Sequence, residues 1–129
     1  MVNKKLTVLG LMSGTSMDGL DCCLSKIKID KNYNLDFKII NSKTYEFNKD
    51  LITKISKLVG SNNINKIKEL DLELGAIYKD FAIDFVGINK IDLISSHGQT
   101  LRHQNSIESL QVGHPKYLSS HYNVPVVYN

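Results

Sequence analysis

The sequence opens on the stretch Leu6-Thr7-Val8-Leu9-Gly10-Leu11-Met12-Ser13-Gly14-Thr15-Ser16-Met17-Asp18-Gly19-Leu20-Asp21. Residues 6–12 form a nearly continuous apolar run, which predicts a buried strand. Residues 13–19 are turn formers. Residues 20–29 follow, and their end alternates between lysine and isoleucine, which predicts a half-exposed strand. The stretch therefore predicts a strand, a glycine-rich turn and a returning strand.

The remaining apolar pattern predicts the other elements. Residues 35–39 alternate between apolar and polar after a turn at residues 30–34, which predicts the third strand of an antiparallel meander. Two segments of helical spacing, residues 51–59 and 64–85, end near Gly60 and Gly87. The remainder reads as strand 91–95, polar loop 96–100, strand 109–113, helix 114–122 with Pro115 in its first turn, and strand 124–128. We expect an α/β fold on one mixed sheet.

Composition excludes several classes of protein. The chain has 129 residues, of which 42% are apolar and 22% charged, so it has the size and core of one domain. It contains no apolar run of membrane-spanning length and no signal-peptide pattern, so we expect a cytoplasmic protein with no membrane partner. A net charge of +3 from scattered lysines gives little support to a nucleic-acid partner. The neighbouring Cys22 and Cys23 are expected to be buried thiols in a reducing compartment.

The glycine-rich turn is a candidate phosphate site. Gly10, Gly14 and Gly19 give backbone freedom, and hydroxyl groups lie between them, as in loops whose N–H groups hold a phosphate. The spacing is neither a Walker loop nor a dinucleotide fingerprint, because no Gly-Lys-Ser/Thr follows and the next element is a strand. Asp18 could hold a hydrated Mg²⁺. A hairpin turn rich in Gly, Ser and Asp for purely conformational reasons is the alternative.

The residues of this turn closely resemble the opening signature of the anhydro-N-acetylmuramic acid kinases. The matching run is Gly10-Leu11-Met12-Ser13-Gly14-Thr15-Ser16-Met17-Asp18-Gly19-Leu20-Asp21. Later matches are Ser96-His97-Gly98-Gln99-Thr100, then Leu110-Gln111-Val112-Gly113 and Val124-Pro125-Val126-Val127. The resemblance covers essentially the whole chain, but only the N-terminal portion of the family's length.

This resemblance implies the actin/hexokinase/heat-shock-chaperone superfamily, in which two domains with ribonuclease-H-like cores hold a nucleotide between them. We accordingly expect a ribonuclease-H-like (actin-like ATPase) mixed sheet that opens with three antiparallel strands and carries helices packed on it. Residues 1–129 are expected to be the N-terminal part of an incomplete first domain, with the C-terminal domain absent. A homodimer of the full-length protein is left open.

The resemblance also implies a reaction. It is the ATP-dependent phosphorylation of 1,6-anhydro-N-acetylmuramic acid with hydrolytic ring opening, which gives N-acetylmuramic acid 6-phosphate in cell-wall recycling. ATP and Mg²⁺ are the implied cofactors, and Asp18 is the expected contact to Mg²⁺ through water. The phosphate-binding residues implied are Gly14, Thr15, Ser16, Met17, Asp18, Gly19, Leu20 and Asp21.

The second polar segment has the hydroxyl, imidazole and amide groups that recognise a sugar. By the resemblance, the substrate-binding residues are His97, Gly98, Gln99 and Thr100. We add Arg102, the only arginine of the chain, because arginine binds carboxylates bidentately and the sugar carries a lactyl carboxylate. The alternatives are that His97 and Gln99 only satisfy buried backbone, and that Arg102 is a solvated surface residue.

Two departures from the family pattern limit the expectation. His114 stands where the family generally has an acidic or amide residue, which exchanges a hydrogen-bond acceptor for a titratable donor. The family's general-base aspartate lies beyond Asn129, so this chain has no expected catalytic residue and is predicted to be inactive alone. The alternatives are an inert nucleotide- or sugar-binding half-domain and a ribonuclease-H-type nuclease. The nuclease needs several converging carboxylates, and Asp18 and Asp21 alone make a poor set.

Overall fold

The first three strands form the predicted antiparallel meander. A computed structural model of the chain describes residues 3–104 and 107–128. Strand β1 (Lys4–Ser13) pairs antiparallel with β2 (Gly19–Ile29), which pairs antiparallel with β3 (Leu35–Glu46). The third strand is longer than its alternating pattern predicted, because its polar second half continues the ladder with β2.

Two helices then cross back over the sheet, as the apolar spacing predicted. Helix α1 (Lys49–Leu58) and helix α2 (Ile64–Val86) both begin at an asparagine whose side chain accepts a hydrogen bond from the first turn. Gly87, in the left-handed region at φ +56°, caps the end of α2. The Gly60 N–H donates to the Leu101 carbonyl at 3.0 Å, so the segment after α1 is held against the sheet.

The last part of the chain completes one six-stranded sheet. Its elements are β4 (Leu93–Gln104), β5 (Glu108–Val112), α3 (Lys116–Tyr122) and β6 (Val126–Tyr128). Strand β4 pairs in parallel with β1, and its outer edge is shared by parallel β6 and antiparallel β5. The order is β3-β2-β1-β4-β5, with β6 beside the first half of β4. This arrangement confirms the predicted mixed α/β sheet of the actin-like class.

One predicted element is wrong. Residues 96–100 are not a loop after a strand, since they lie in the middle of β4. The polar side chains of this segment had suggested a loop. In the structure its backbone pairs with β1 on one side and with the outer strands on the other, and several of its side chains are buried.

The core lies between the helices and one face of the sheet. Leu9 and Leu11 of β1 and Cys22 of β2 pack in one cluster with Leu74 and Tyr78 of α2. Burial raises the pKa of the Cys22 thiol to about 12. Both cysteines are free, but only Cys22 is fully buried; Cys23 is half-buried because it points to the opposite face of the sheet.

Gly75 sets the distance between α2 and the turn before α3. A Cβ there would lie 2.4 Å from the His114 carbonyl oxygen. Alanine favours a helix over glycine by about 1 kcal/mol, but overpacking against backbone costs about 1–3 kcal/mol. We expect Gly75→Ala to lower the free energy of unfolding by about 1–2 kcal/mol in urea denaturation. The matched change at exposed Lys68 of the same helix, Lys68→Ala, should stay within about 0.5 kcal/mol. A Gly75→Ala chain as stable as the parent would refute the tight contact.

Candidate functional site

The turn after β1 is held by its own hydrogen bonds. The Met17 N–H donates to the Gly14 carbonyl at 3.1 Å, and Met17 takes a left-handed backbone conformation at φ +59°. Ser16 Oγ donates to Asp18 Oδ1 at 2.7 Å, and the Asp18 carbonyl accepts from the Phe47 N–H at 2.8 Å. Thr15, Ser16 and Asp18 are exposed. The turn therefore exposes two hydroxyl groups and one carboxylate, and its own hydrogen bonds hold its backbone in place.

The end of the predicted phosphate segment belongs to β2. Leu20 is fully buried, so its side chain packs in the core and is not available to a ligand at the turn. Gly19 is packed so closely that a Cβ would lie 2.5 Å from the Tyr45 carbonyl oxygen. The exposed Asp21 carboxylate accepts a hydrogen bond from Thr44 Oγ1. The phosphate-binding role of Gly14 to Asp21 stays a prediction.

A bulge on β4 lies beside this turn. Leu11 pairs with Ser96 and Ser13 pairs with Gln99, so β4 holds one more residue than β1 over this interval. Gly98 permits the bulge: it has φ +79°, and a Cβ there would lie 2.7 Å from the Val112 carbonyl oxygen. His97 is exposed, and its Nδ1 lies 3.1 Å from the Gly98 carbonyl oxygen.

Gln99 connects the two predicted segments directly. Its side chain is fully buried, and Nε2 donates to the Gly14 carbonyl at 3.1 Å across 85 residues of sequence. Parallel pairing of β1 and β4 is what brings the two together. Gln99 thus satisfies a backbone carbonyl of the glycine-rich turn, and its role toward the sugar stays a prediction.

Buried polar side chains are concentrated at this point of the fold. Within residues 3–104 and 107–128, the buried polar side chains are Ser13, Ser96 and Gln99. Ser13 Oγ lies 2.7 Å from the Tyr78 hydroxyl. Ser96 Oγ and Gln99 Oε1 find no hydrogen-bond partner among the described residues. An unpartnered buried polar atom costs about 1–3 kcal/mol, so this pair makes the middle of β4 a candidate site for a ligand that would supply the missing hydrogen bonds.

Two cavities meet at Ser96, His97 and Tyr128. One has a volume of about 260 Å³ and extends toward Asp71 and His114. The other has a volume of about 400 Å³ and its wall includes Met12, Asp21 and Cys23. Clefts of this size with a few convergent polar groups suit small ligands.

Thr100 and Arg102 lie further along β4 and have partners in the chain. Gln111 Nε2 is 3.5 Å from Thr100 Oγ1. Arg102 donates through Nη1 to Asn62 Oδ1 at 2.9 Å, and its Nε lies 3.1 Å from Glu108 Oε1. Neither residue lines the two cavities. A role of Arg102 toward the sugar carboxylate stays a prediction.

His114 accepts a backbone hydrogen bond through one of its two ring nitrogens. Its Nδ1 accepts a hydrogen bond from the Lys116 N–H at 3.1 Å, at the beginning of α3. Pro115, the N-cap residue of this helix, supplies no side-chain hydrogen bond. The Nδ1 atom of this ring therefore supplies the acceptor that a carboxylate or amide oxygen would supply there.

Asp71 and Tyr78 were missed by the sequence analysis. Asp71 accepts from the Gly113 N–H at 2.8 Å through its side chain and from the His114 N–H through its carbonyl, and it lines the smaller cavity. Tyr78 falls inside the helical segment predicted over residues 64–85, for which the sequence predicted no polar contact. For both residues the sequence offered one signal, namely a polar group at a helix position that the apolar spacing places on the side facing the core.

The carboxylates present suit a hydrated magnesium ion better than a two-metal centre. Within the described ranges, His, Cys, Asp and Glu do not gather in groups of three that could ligate a metal. Mg²⁺ keeps several waters and takes one or two carboxylates together with substrate phosphates, which fits the exposed Asp18 of the turn.

A glycine-rich turn at the carboxyl end of β1, beside a polar bulge on a parallel strand of a 3-2-1-4 sheet, defines a domain of the ribonuclease-H-like, actin-like ATPase class. The sequence profile of the anhydro-N-acetylmuramic acid kinases matches residues 6–129. The chain belongs to this family.

Curated relatives agree with that membership. The anhydro-N-acetylmuramic acid kinase of Shewanella pealeana is 33% identical over 92% of this chain and 34% of its own length. The corresponding proteins of Francisella tularensis subsp. novicida and Bacillus cereus strain Q1 are 33% and 31% identical, over 94% and 95% of this chain and 35% of their own lengths. The chain thus spans about a third of the length of the relatives it matches. None of the described helices is long and apolar enough to cross a membrane.

The contact between Ser13 and Tyr78 can be tested by a double-mutant cycle. Tyr78→Phe leaves Ser13 Oγ buried without a partner, and Ser13→Ala does the same to the Tyr78 hydroxyl, so we expect each to cost about 1–3 kcal/mol of unfolding free energy. The double variant should cost at least about 1 kcal/mol less than the sum, because it leaves neither group orphaned. Tyr33→Phe, at an exposed tyrosine, is the control and should be neutral. Simple additivity in urea denaturation would disprove the coupling.

Proposed function

We propose that the chain is the N-terminal portion of an ATP-dependent kinase for 1,6-anhydro-N-acetylmuramic acid. In this reaction water adds to the anhydro carbon, the bond from that carbon to the bridging oxygen breaks, and the bridging oxygen takes the γ-phosphoryl group of ATP. The products are N-acetylmuramic acid 6-phosphate and ADP. A cytoplasmic location fits the two free thiols.

The observation that carries the proposal is the hydrogen bond from Gln99 to the Gly14 carbonyl. It holds the segment proposed for the sugar against the segment proposed for the phosphates, and phosphoryl transfer depends mainly on such positioning. Thr15 and Ser16 would contact phosphate oxygens, and Asp18 would hold Mg²⁺ through water. The ion supplies charge neutralisation on the phosphates when bound.

His97 and Ser96 would contact the sugar from the cavity wall. Ser96 Oγ is buried and unpartnered at the junction of the two cavities, so a sugar hydroxyl or N-acetyl group there would satisfy it. The water-activating base is expected in a segment outside this chain. For that reason the 129-residue chain alone should give no turnover.

A hybrid enzyme tests the proposal. We would join this chain to the remaining two thirds of the Shewanella pealeana relative and measure ADP release that depends on the anhydro sugar. The hybrid should turn over, and Asp18→Asn in it should lower kcat by about 100-fold, because the metal contact to the phosphates is lost. Asp80→Asn, an exposed change on α2, is the matched control and should leave kcat within about two-fold.

Two results would count against the proposal. Sugar-dependent ADP release by the 129-residue chain alone would show that the chain needs no further segment. A folded hybrid that binds ATP in calorimetry but never phosphorylates the sugar would favour the inert half-domain instead.

A further inference from the structure

Four exposed lysines meet on one face of the meander. Lys5 is opposite Lys28 in the β1–β2 ladder, and Lys26 is opposite Lys38 in the β2–β3 ladder. Residues directly opposed in an antiparallel ladder share a face of the sheet, and so do residues two apart on one strand. The fold therefore gathers into one lysine face four residues that are scattered in the sequence, namely Lys5, Lys26, Lys28 and Lys38.

The lysine face continues the side of the sheet that packs against the helices. The next opposed pair along β1 and β2 is Leu9 with Leu24, and both leucines are buried in the core. At the same level β3 has a bulge, in which Ile40 is the extra residue between Ile39 and Asn41. The lysines lie beyond this level, where the strands extend past the packed core and the side chains are exposed.

A cavity of about 470 Å³ lies over this face and is lined by all four lysines. Two other polar residues line it: Thr7 is opposite Lys26, and Asp36 is opposite Lys28. Neighbouring strands lie about 4.8 Å apart, and alternate residues of one strand lie about 6.6 Å apart. The long lysine side chains can therefore bring their ammonium groups to one small ligand.

The lysine face has more positive charge than nearby residues neutralise. Like charges directly opposed on a sheet are destabilising, and this face carries two such pairs. The nearby carboxylates are Asp36 and Asp30, and Asp30 already accepts hydrogen bonds from the Asn32 and Asn34 N–H groups. Within residues 3–104 and 107–128, ion pairs are formed by other cations, namely Lys43, Lys54, Lys79 and Arg102. An anion in the cavity would offset the repulsion.

Carboxylates also limit the extent of the lysine face. Asp36 lies on its β3 side, and on its β1 side the Thr7 N–H donates to Asp92 Oδ2 at 2.7 Å. A long polyanion such as a nucleic acid would extend over these carboxylates, whereas a small anion would contact the ammonium groups alone. The charge distribution therefore favours a compact ligand with more than one negative charge.

We propose that the lysine face binds a small soluble ligand that carries two or three linked phosphate groups. Hydrogen bonds from lysine ammonium groups to phosphate oxygens are charge-assisted, and Thr7 would add a hydroxyl donor. The site is separate from the glycine-rich turn, because Thr7 and Ser13 are six residues apart on β1, about 20 Å. It therefore holds independently of the proposed kinase reaction.

Calorimetric titration of the full chain with tripolyphosphate tests the proposal. At low salt we expect a Kd below about 1 mM, and Lys26→Gln with Lys38→Gln should raise it by about ten-fold or more. The matched control, Lys49→Gln with Lys68→Gln, removes the same charge from exposed helix positions and should bind within about two-fold of the parent. Removal of an opposed like-charge pair relieves repulsion, so the first variant should keep at least the parent's urea midpoint.

Nuclear magnetic resonance locates the bound phosphates. Tripolyphosphate should shift the backbone amide signals of Lys26 and Lys38, and these shifts should disappear in the Lys26→Gln with Lys38→Gln variant. Binding at the glycine-rich turn would instead shift Gly14 and Thr15, and would persist in that variant. Shifts confined to the turn overturn the lysine-face proposal and leave the kinase proposal standing.

Two further probes define the ligand. Binding of ADP to the lysine face as tight as that of tripolyphosphate assigns the site to the phosphate chain, and tighter binding assigns it to a nucleotide. A single-stranded DNA of about 20 nucleotides that binds more tightly than either, with the same lysine dependence, would overturn the assignment to a small ligand. Equal affinity of the parent and the Lys26→Gln with Lys38→Gln variant for tripolyphosphate would overturn the site itself.

Discussion

Parallel pairing between β1 and β4 is the constraint on which the rest of the structure depends. It places Ser13 beside Gln99, and through Gln99 it fixes the Gly14 carbonyl of the turn. The two strands are distant in sequence, so closing this connection costs chain entropy that local contacts cannot offset. The helices between them provide the compensation, since α2 buries Leu74 and Tyr78 against the face that β1 and β4 share.

Helices and strands in which apolar residues recur at regular spacing were predictable from the sequence. Elements in which polar residues interrupt that spacing were not. The helical spacing of apolar residues over 64–85 predicted α2, because a helix at the surface of a core must bury one stripe of side chains. Residues 96–100 were predicted as a loop because Ser96 and Gln99 are polar, yet both are buried inside β4. No local pattern reveals that a polar residue will be enclosed by strands from elsewhere in the chain. The contact between Ser13 and Tyr78 was not predictable either, because it joins residues that are distant in sequence.

The two edges of the sheet differ in how they end. On one side the edge is made of two short strands, because β6 pairs with the first half of β4 and β5 with its second half across the bulge at Gly98. Beyond β3 nothing within the described ranges continues the ladder, although the second half of that strand is anchored to α2 by Tyr45, which stacks on Phe81 and donates to Asp84. Packing therefore holds β3 in place only after its bulge, and the segment before the bulge depends on β2 alone.

The buried polar groups of Ser96 and Gln99 are unfavourable for stability, so their place in the fold points to a role in binding. A chain selected only for stability would place apolar side chains at positions 96 and 99, since a buried hydroxyl and amide oxygen without partners each cost about 1–3 kcal/mol. Ser13 avoids this cost because its hydroxyl is hydrogen-bonded to the Tyr78 hydroxyl. The side-chain amide of Gln99 is satisfied only at its nitrogen, which donates to the Gly14 carbonyl. The Ser96 hydroxyl and the Gln99 amide oxygen lie near the carboxyl end of the parallel pair, where α/β sheets bind their ligands. Local rules of packing are broken there and kept elsewhere in the core, which is the pattern expected where a ligand completes the hydrogen bonding.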